Sequence, residues 1–113
     1  MTGFKRGDVV LVPFVFTDES GIKKRPAVIV SSDECNSARG EAVIAAITGR
    51  TDRILIGDYP ISGWREAGLL FPSIMTGIIR TIRQNMIDRK LGSVSPHDLE
   101  SMNNRLRMIL DLQ

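Results

Sequence analysis

Between residues 8 and 82 the chain is a succession of short apolar runs, each broken by glycine or proline, with no long helical pattern between them. This constrains the fold more than any other feature. Short runs rich in Val, Ile and Phe read as strands, and strands lacking crossover helices pair antiparallel. Residues 8–16 read as a first strand, in which Pro13 demands an edge or bulge position. "TDESGIKK" is a polar loop, "AVIVS" a second strand, "SDECNSARGE" a longer loop and "AVIAAIT" a third strand. "RILIGDYPI" and "GLLFPSIMTGIIRTI" continue as short strands, with "SGWREA" between them as a turn or single helical turn. The expectation is a mainly β chain, a small antiparallel barrel.

After residue 94 the pattern changes. Ser95 is a natural N-cap, Pro96 suits the first helical position, and Asp98 falls in the first turn, where a negative charge suits the helix dipole. Leu99, Met102, Leu106, Ile109 and Leu110 then recur at helical spacing and form one apolar stripe, read as packing surface. The chain should end in an amphipathic helix.

At 113 residues this pattern fits one domain, 1–113. The apolar runs are far shorter than the roughly 20 residues a membrane-spanning helix needs, and "MTGFKRGD" lacks an apolar leader, so the expected location is the cytosol. One cysteine, Cys35, and one histidine, His97, leave no disulfide and no His- or Cys-rich metal site, so no metal or cofactor is expected.

His97 lies at the start of the predicted helix, where an exposed polar residue needs no special cause. Ser31, Ser32 and Cys35 have no evident base to activate them. "RGD" near the start is followed by a strand rather than a helix, so no phosphate-cradling loop is present. What remains is arginine and hydroxyl. The net charge is +2 and the pI about 9.0. Lys23, Lys24 and Arg25 are consecutive, and Arg50, Arg53, Arg80 and Arg83 adjoin predicted strands, while acids such as Asp98, Glu100 and Asp111 lie near the C-terminus. That asymmetry permits a polyanion site on one face.

Arginine's planar, permanently charged fork matches phosphate oxygens and can offset charge developing during phosphoryl transfer. Arg25 and Thr48 are suitably placed for such a role. Pro26 fixes its own φ and disfavours the helical region for Arg25, so Arg25 should enter its strand already extended. Arg25 begins the second strand and Thr48 ends the third. The expectation is that a flat hairpin separates the two, so that they meet only through a more complex strand order or across a curved sheet.

"KRGDVVLVPF" at 5–14, "KKRPAVIVSS" at 23–32 with Asn36 after it, "AAIT" at 45–48, and "IIRTI" at 78–82 followed by "LG" at 91–92 occur in this order. The set resembles the MazF and PemK toxins over almost the whole chain. The resemblance implies a small SH3-like barrel of the plasmid-maintenance toxin type. It further implies a homodimer with metal-independent endoribonuclease activity on single-stranded RNA, held in check by a cognate antitoxin. Arg25 then takes the place of the family's catalytic arginine and Thr48 that of its catalytic threonine. "TDESGIKK" corresponds to the loop that helps shape the RNA groove, and the RNA-contacting candidates are Thr17, Lys23, Lys24, Arg50 and Arg83.

Several relatives carry an acidic residue and a glutamine before their "RTI" strand and an aspartate after it; here Gly77, Ile78 and Arg83 stand at those places. Two alternatives accompany the nuclease reading. A related toxin group resembles this fold but traps DNA gyrase, and a barrel of this kind can bind RNA without cutting it. Phe14, Phe16 and Trp64 could stack on bases, but the expectation is that these aromatics belong to the core rather than to a platform.

Overall fold

The computed structural model describes residues 3–15 and 22–113. Among the described residues six strands form an antiparallel sheet: β1 (Asp8–Val15), β2 (Ile22–Ile29), β3 (Glu41–Thr48), β4 (Tyr59–Pro60), β5 (Ile74–Arg83) and β6 (Arg89–Ser93). Their order across the sheet is β4-β5-β3-β2-β1-β6, so the sheet is a half-barrel with β4 and β6 as its two edges. A short helix α1 (Asp33–Ala38) links β2 to β3, and α2 (Pro96–Leu110) closes the chain. The mainly β, antiparallel architecture with a C-terminal helix is the one the sequence implies.

The apolar runs are continuous rather than alternating because the sheet is covered on both faces. On one side Val9, Val28, Ala45, Ile47 and Met75 pack with Tyr59, Ile61, Ala67, Leu69 and Met102 of α2. On the other, Val10, Val12, Phe14, Ala27, Ile29, Ala42 and Ile44 pack with Ile87 and the half-buried Phe4. Successive strand residues face opposite ways, so adjacent apolar residues such as Val9 and Val10 serve different cores.

"RGD" is a structural device. Gly7 has φ +91, open to glycine at little cost, and a side chain there would meet Val94 and Leu99. Asp8 accepts from the Lys5 N–H at 2.8 Å and from the Ser93 hydroxyl at 2.9 Å, and Lys90 stands 3.3 Å away. Arg6 donates to the Val30 carbonyl at 2.9 Å and to Asn103 of α2.

The structure differs from the sequence reading at several elements. β2 starts at Ile22, not at Ala27, because β1 supplies a backbone partner for the lysines: Phe14 lies opposite Lys23, Pro13 opposite Lys24 and Val12 opposite Arg25. Lys23 and Lys24 are therefore strand, not loop, and Arg25 lies within the strand. Pro13 is reached by β2 but not by β6, which pairs with β1 only as far as Leu11, so the proline sits on a locally open edge as expected. Part of the predicted long loop is α1, capped by the Ser32 hydroxyl accepting from the Cys35 N–H at 3.1 Å.

Most of "RILIGDYPI" is not strand. Ile54, Leu55 and Ile56 are exposed, and only Tyr59 and Pro60 pair with β5. β6 is absent from the sequence reading, since "RKLGS" is polar and glycine-containing. "SGWREA" is a turn, with the Ala67 N–H bonded to the Gly63 carbonyl at 3.0 Å. α2 is capped as expected, with Asp98 N–H donating to Ser95 Oγ at 3.1 Å. Its stripe is buried at Met102 and half-buried at Leu99, Leu106 and Ile109, but Leu110 is exposed.

Candidate functional site

β2 and β3 pair only over a short stretch: Ala27 opposite Ala46, Val28 opposite Ala45, Ile29 opposite Ile44. Beyond it β2 continues against β1 and β3 against β5. Counting on in the same register puts Arg25 across from Thr48. The expectation that a hairpin would separate the two is thus wrong, because in an antiparallel pair the start of one strand lies beside the end of the next. By alternation Arg25 is in step with Ala27 and Ile29, and Thr48 with Ala46 and Ile44, residues of one core. The ladder between the strands ends one residue after Pro26, which has no N–H to contribute.

A groove of about 980 Å³ opens there, lined by both Arg25 and Thr48. Arg50, Arg80, Arg89 and Lys90 also line it, Leu11, Phe14, Pro26 and Ala46 form apolar surface within it, and among the described residues no carboxylate lines it. The Arg80 guanidinium lies over the Phe14 ring, 5.5 Å from its centroid, a contact that places the charge without itself neutralising it. Lys90 reaches the groove from β6 while Asp8, almost fully buried, holds its ammonium. Thr48 Oγ1 accepts from the Arg50 N–H at 3.1 Å, which leaves the hydroxyl proton to donate elsewhere.

Arg50 pairs with Asp52 at 3.1 Å, both exposed. The hydrogen bond and charge of Arg50 hold the Asp52 carboxyl below its usual range.

The remaining sequence candidates are dispersed. Lys23 and Lys24 are exposed on β2 outside the groove lining, and Lys24 pairs with Asp88 at 3.3 Å. Arg83 lies opposite Glu41, at the far end of β3 from Thr48, about 23 Å away at ~3.3 Å per strand residue. Thr17 and Phe16, with most of the loop "TDESGIKK", lie outside the described residues. Phe14 is buried and Trp64 packs against the core, so neither offers a free ring face. His97 is exposed at the start of α2, away from the groove. Among the described residues no group of three or more His, Cys, Asp or Glu gathers as metal ligands.

Arg80, Arg89, Lys90 and Phe71 line the groove without having been site candidates from sequence. Arg80 was legible in principle. In "IIRTIR" strand alternation puts it on the opposite face from Arg83, so only one of the two arginines can face a given site.

The model of the PemK-like, MazF-like toxin of type II toxin-antitoxin systems matches residues 5–110. The chain belongs to this family. It is 31% identical over 112 residues to the endoribonuclease MazF of Staphylococcus saprophyticus, covering 96% of this chain and 92% of that protein. Two solved structures share the fold. An endoribonuclease in complex with its cognate antitoxin from a mycobacterial species superposes with a TM-score of 0.78 at 22% identity, over 98% of both chains. A MazE-MazF structure from Deinococcus radiodurans does so at 0.76 and 15% identity over the whole of both. In this PemK/MazF-like chain, the motif residues at 25 and 48, distant in sequence, both line the groove where the half-barrel sheet divides.

Proposed function

We infer that this PemK/MazF-like chain is the toxin of a type II pair and an endoribonuclease acting on single-stranded RNA. The observation that carries the reading is that Arg25 and Thr48 line one groove together with further cations and, among the described residues, no carboxylate. A polyanion enters such a groove along its own field.

RNA carries its own nucleophile in the 2′-hydroxyl, so the protein need supply neither a nucleophile nor a metal-bound water. The 2′-oxygen attacks the adjacent phosphorus and loses its proton, the bond to the 5′-oxygen breaks, and that oxygen takes up a proton. The products are a 2′,3′-cyclic phosphate and a 5′-hydroxyl end. Arg25 offsets the charge that grows on the phosphate oxygens, and Thr48 hydrogen-bonds and orients the reacting groups.

One domain over 1–113 carries this activity in the cytosol. It works as a homodimer and is restrained by a cognate antitoxin. The family match over 5–110 supports that assignment.

The test is to incubate the purified protein with a long RNA in excess EDTA and to map the ends. Discrete cuts with 5′-hydroxyl termini are expected. Arg25→Ala should lower the cleavage rate by roughly 100-fold or more while weakening binding to a non-cleavable RNA only modestly. Near-normal cutting by a folded Arg25→Ala protein would remove the central claim.

A further inference from the structure

Phe71 lines the same groove and is 54% exposed, whereas Phe14 and Tyr59 are buried and Phe4 and Trp64 pack against the cores. Among the described residues it is the one exposed aromatic. Its back is fixed against Gly49. A Cβ built on that glycine would lie 2.1 Å from Phe71 Cε1 and 2.9 Å from Cδ1, so the ring rests directly on the backbone between Thr48 and Arg50. The segment is held as well: the Ser73 hydroxyl donates to the Phe71 carbonyl at 2.8 Å, and Pro72 lies between them. Leu70, 88% exposed, and Ile78 add apolar surface in the groove.

Exposed apolar surface set among arginines, with no carboxylate among the described lining residues, suits a ligand that has negative charge on one side and flat apolar faces on the other. Single-stranded RNA is such a ligand: its phosphates meet cations while its bases stack on aromatic rings. We propose that Phe71 is a stacking platform for the RNA base next to the phosphate that Arg25 and Thr48 engage, and so a residue that selects which nucleotides are presented for cutting. The proposal rests on the nuclease reading for the position of that phosphate. Its own content is the ring–base contact.

The test uses the full-length protein and a single-stranded RNA spanning a mapped cut. The RNA is 2′-O-methylated at the cut nucleotide and carries 2-aminopurine at each flanking position in turn. In the wild type one position should be strongly quenched. Phe71→Leu should abolish that quench and raise Kd about tenfold, and Phe71→Trp should restore both. The half-exposed site should let both variants keep the wild-type melting transition.

Cutting with a quench unaltered by Phe71→Leu would overturn the platform and leave the nuclease reading intact. If the wild type cuts no RNA, mixed-sequence RNA carrying 2-aminopurine replaces the mapped oligonucleotide. Binding with a Phe71-dependent quench then supports the platform while the nuclease reading falls, and absence of binding overturns both. A Phe71→Leu protein that loses self-association but keeps the quench would assign the patch to a second copy of the chain and overturn the proposal.

Discussion

Asp98 has no solvent exposure, yet its carboxylate is satisfied on both oxygens. Oδ1 accepts from the Tyr59 hydroxyl at 2.5 Å, the Ser62 N–H at 3.1 Å and the Ser62 hydroxyl at 2.9 Å, and Oδ2 accepts from the Gly63 N–H at 2.8 Å. These bonds tie the segment before "WREAGLLF" to the first turn of α2, so the clamp also anchors the approach to the groove residues Leu69, Leu70 and Phe71.

Replacing Asp98 by asparagine keeps the shape but cannot keep the bonds. Each carboxylate oxygen faces a backbone N–H, and either amide orientation sets an NH2 against one of them. Hydrogen bonds to a charged acceptor are worth about 1.5–3 kcal/mol each, and an unsatisfied buried donor costs about 1–3 kcal/mol. Discounting the bonds to exposed Ser62, Asp98→Asn should cost about 3–5 kcal/mol. In a domain of this size that lowers Tm by about 10–20 °C.

Burial pushes the Asp98 carboxyl up, but the bonds from Tyr59, Gly63 and Ser62 outweigh it, so its pKa lies below the ordinary 3.8. A lowered folded pKa means stability that is fully present above the unfolded value and lost as pH falls through the folded one. Urea unfolding at a series of pH values is the assay. The wild-type advantage over Asp98→Asn should be full at pH 7 and shrink as pH drops below about 4. A variant within 1 kcal/mol of wild type, or a gap of constant size down to low pH, would refute the clamp.

Gly68 has φ +85 and its missing Cβ would fall 2.1 Å from the Leu91 carbonyl oxygen, so Gly68→Ala should cost about 3 kcal/mol or more in denaturant unfolding. Gly40→Ala, with open space around it, should cost far less; equal costs would disprove the close-packing argument. Lys23→Ala should reduce the salt slope of RNA binding by about one, and Lys24→Ala by less because Asp88 already offsets its charge. Equal slopes for the two variants would count against that distinction.

How far the fold was legible depends on what each element rests on. α2 announced itself because Ser95, Pro96 and Asp98 are local signals whose physics acts within one turn. β1 and β3 were legible because they are buried on both faces and so remain continuously apolar. β6 was not, since "RKLGS" owes its conformation to a ladder with β1 rather than to its own side chains. The run "ILI" misled for the opposite reason: its apolar residues are on the surface, which composition cannot disclose. By sequence Asp98 is a partner for the helix dipole; its larger role needs donors 35–39 residues away in sequence.

The site shows the same division between local and register-dependent information. Arg25 and Thr48 could be nominated from residue type and motif, but their lining of one groove follows from the register between β2 and β3, which no single segment encodes. Pro26 links the two levels. It holds Arg25 extended, a local effect. It also has no N–H to offer a ladder, and the β2–β3 pairing begins only at Ala27. Past that point each strand follows its other neighbour, and the groove occupies the space where they part. The proline that aims the arginine therefore also lies where the sheet opens to admit a ligand, and Thr48 reaches the other lip because β3 ends there.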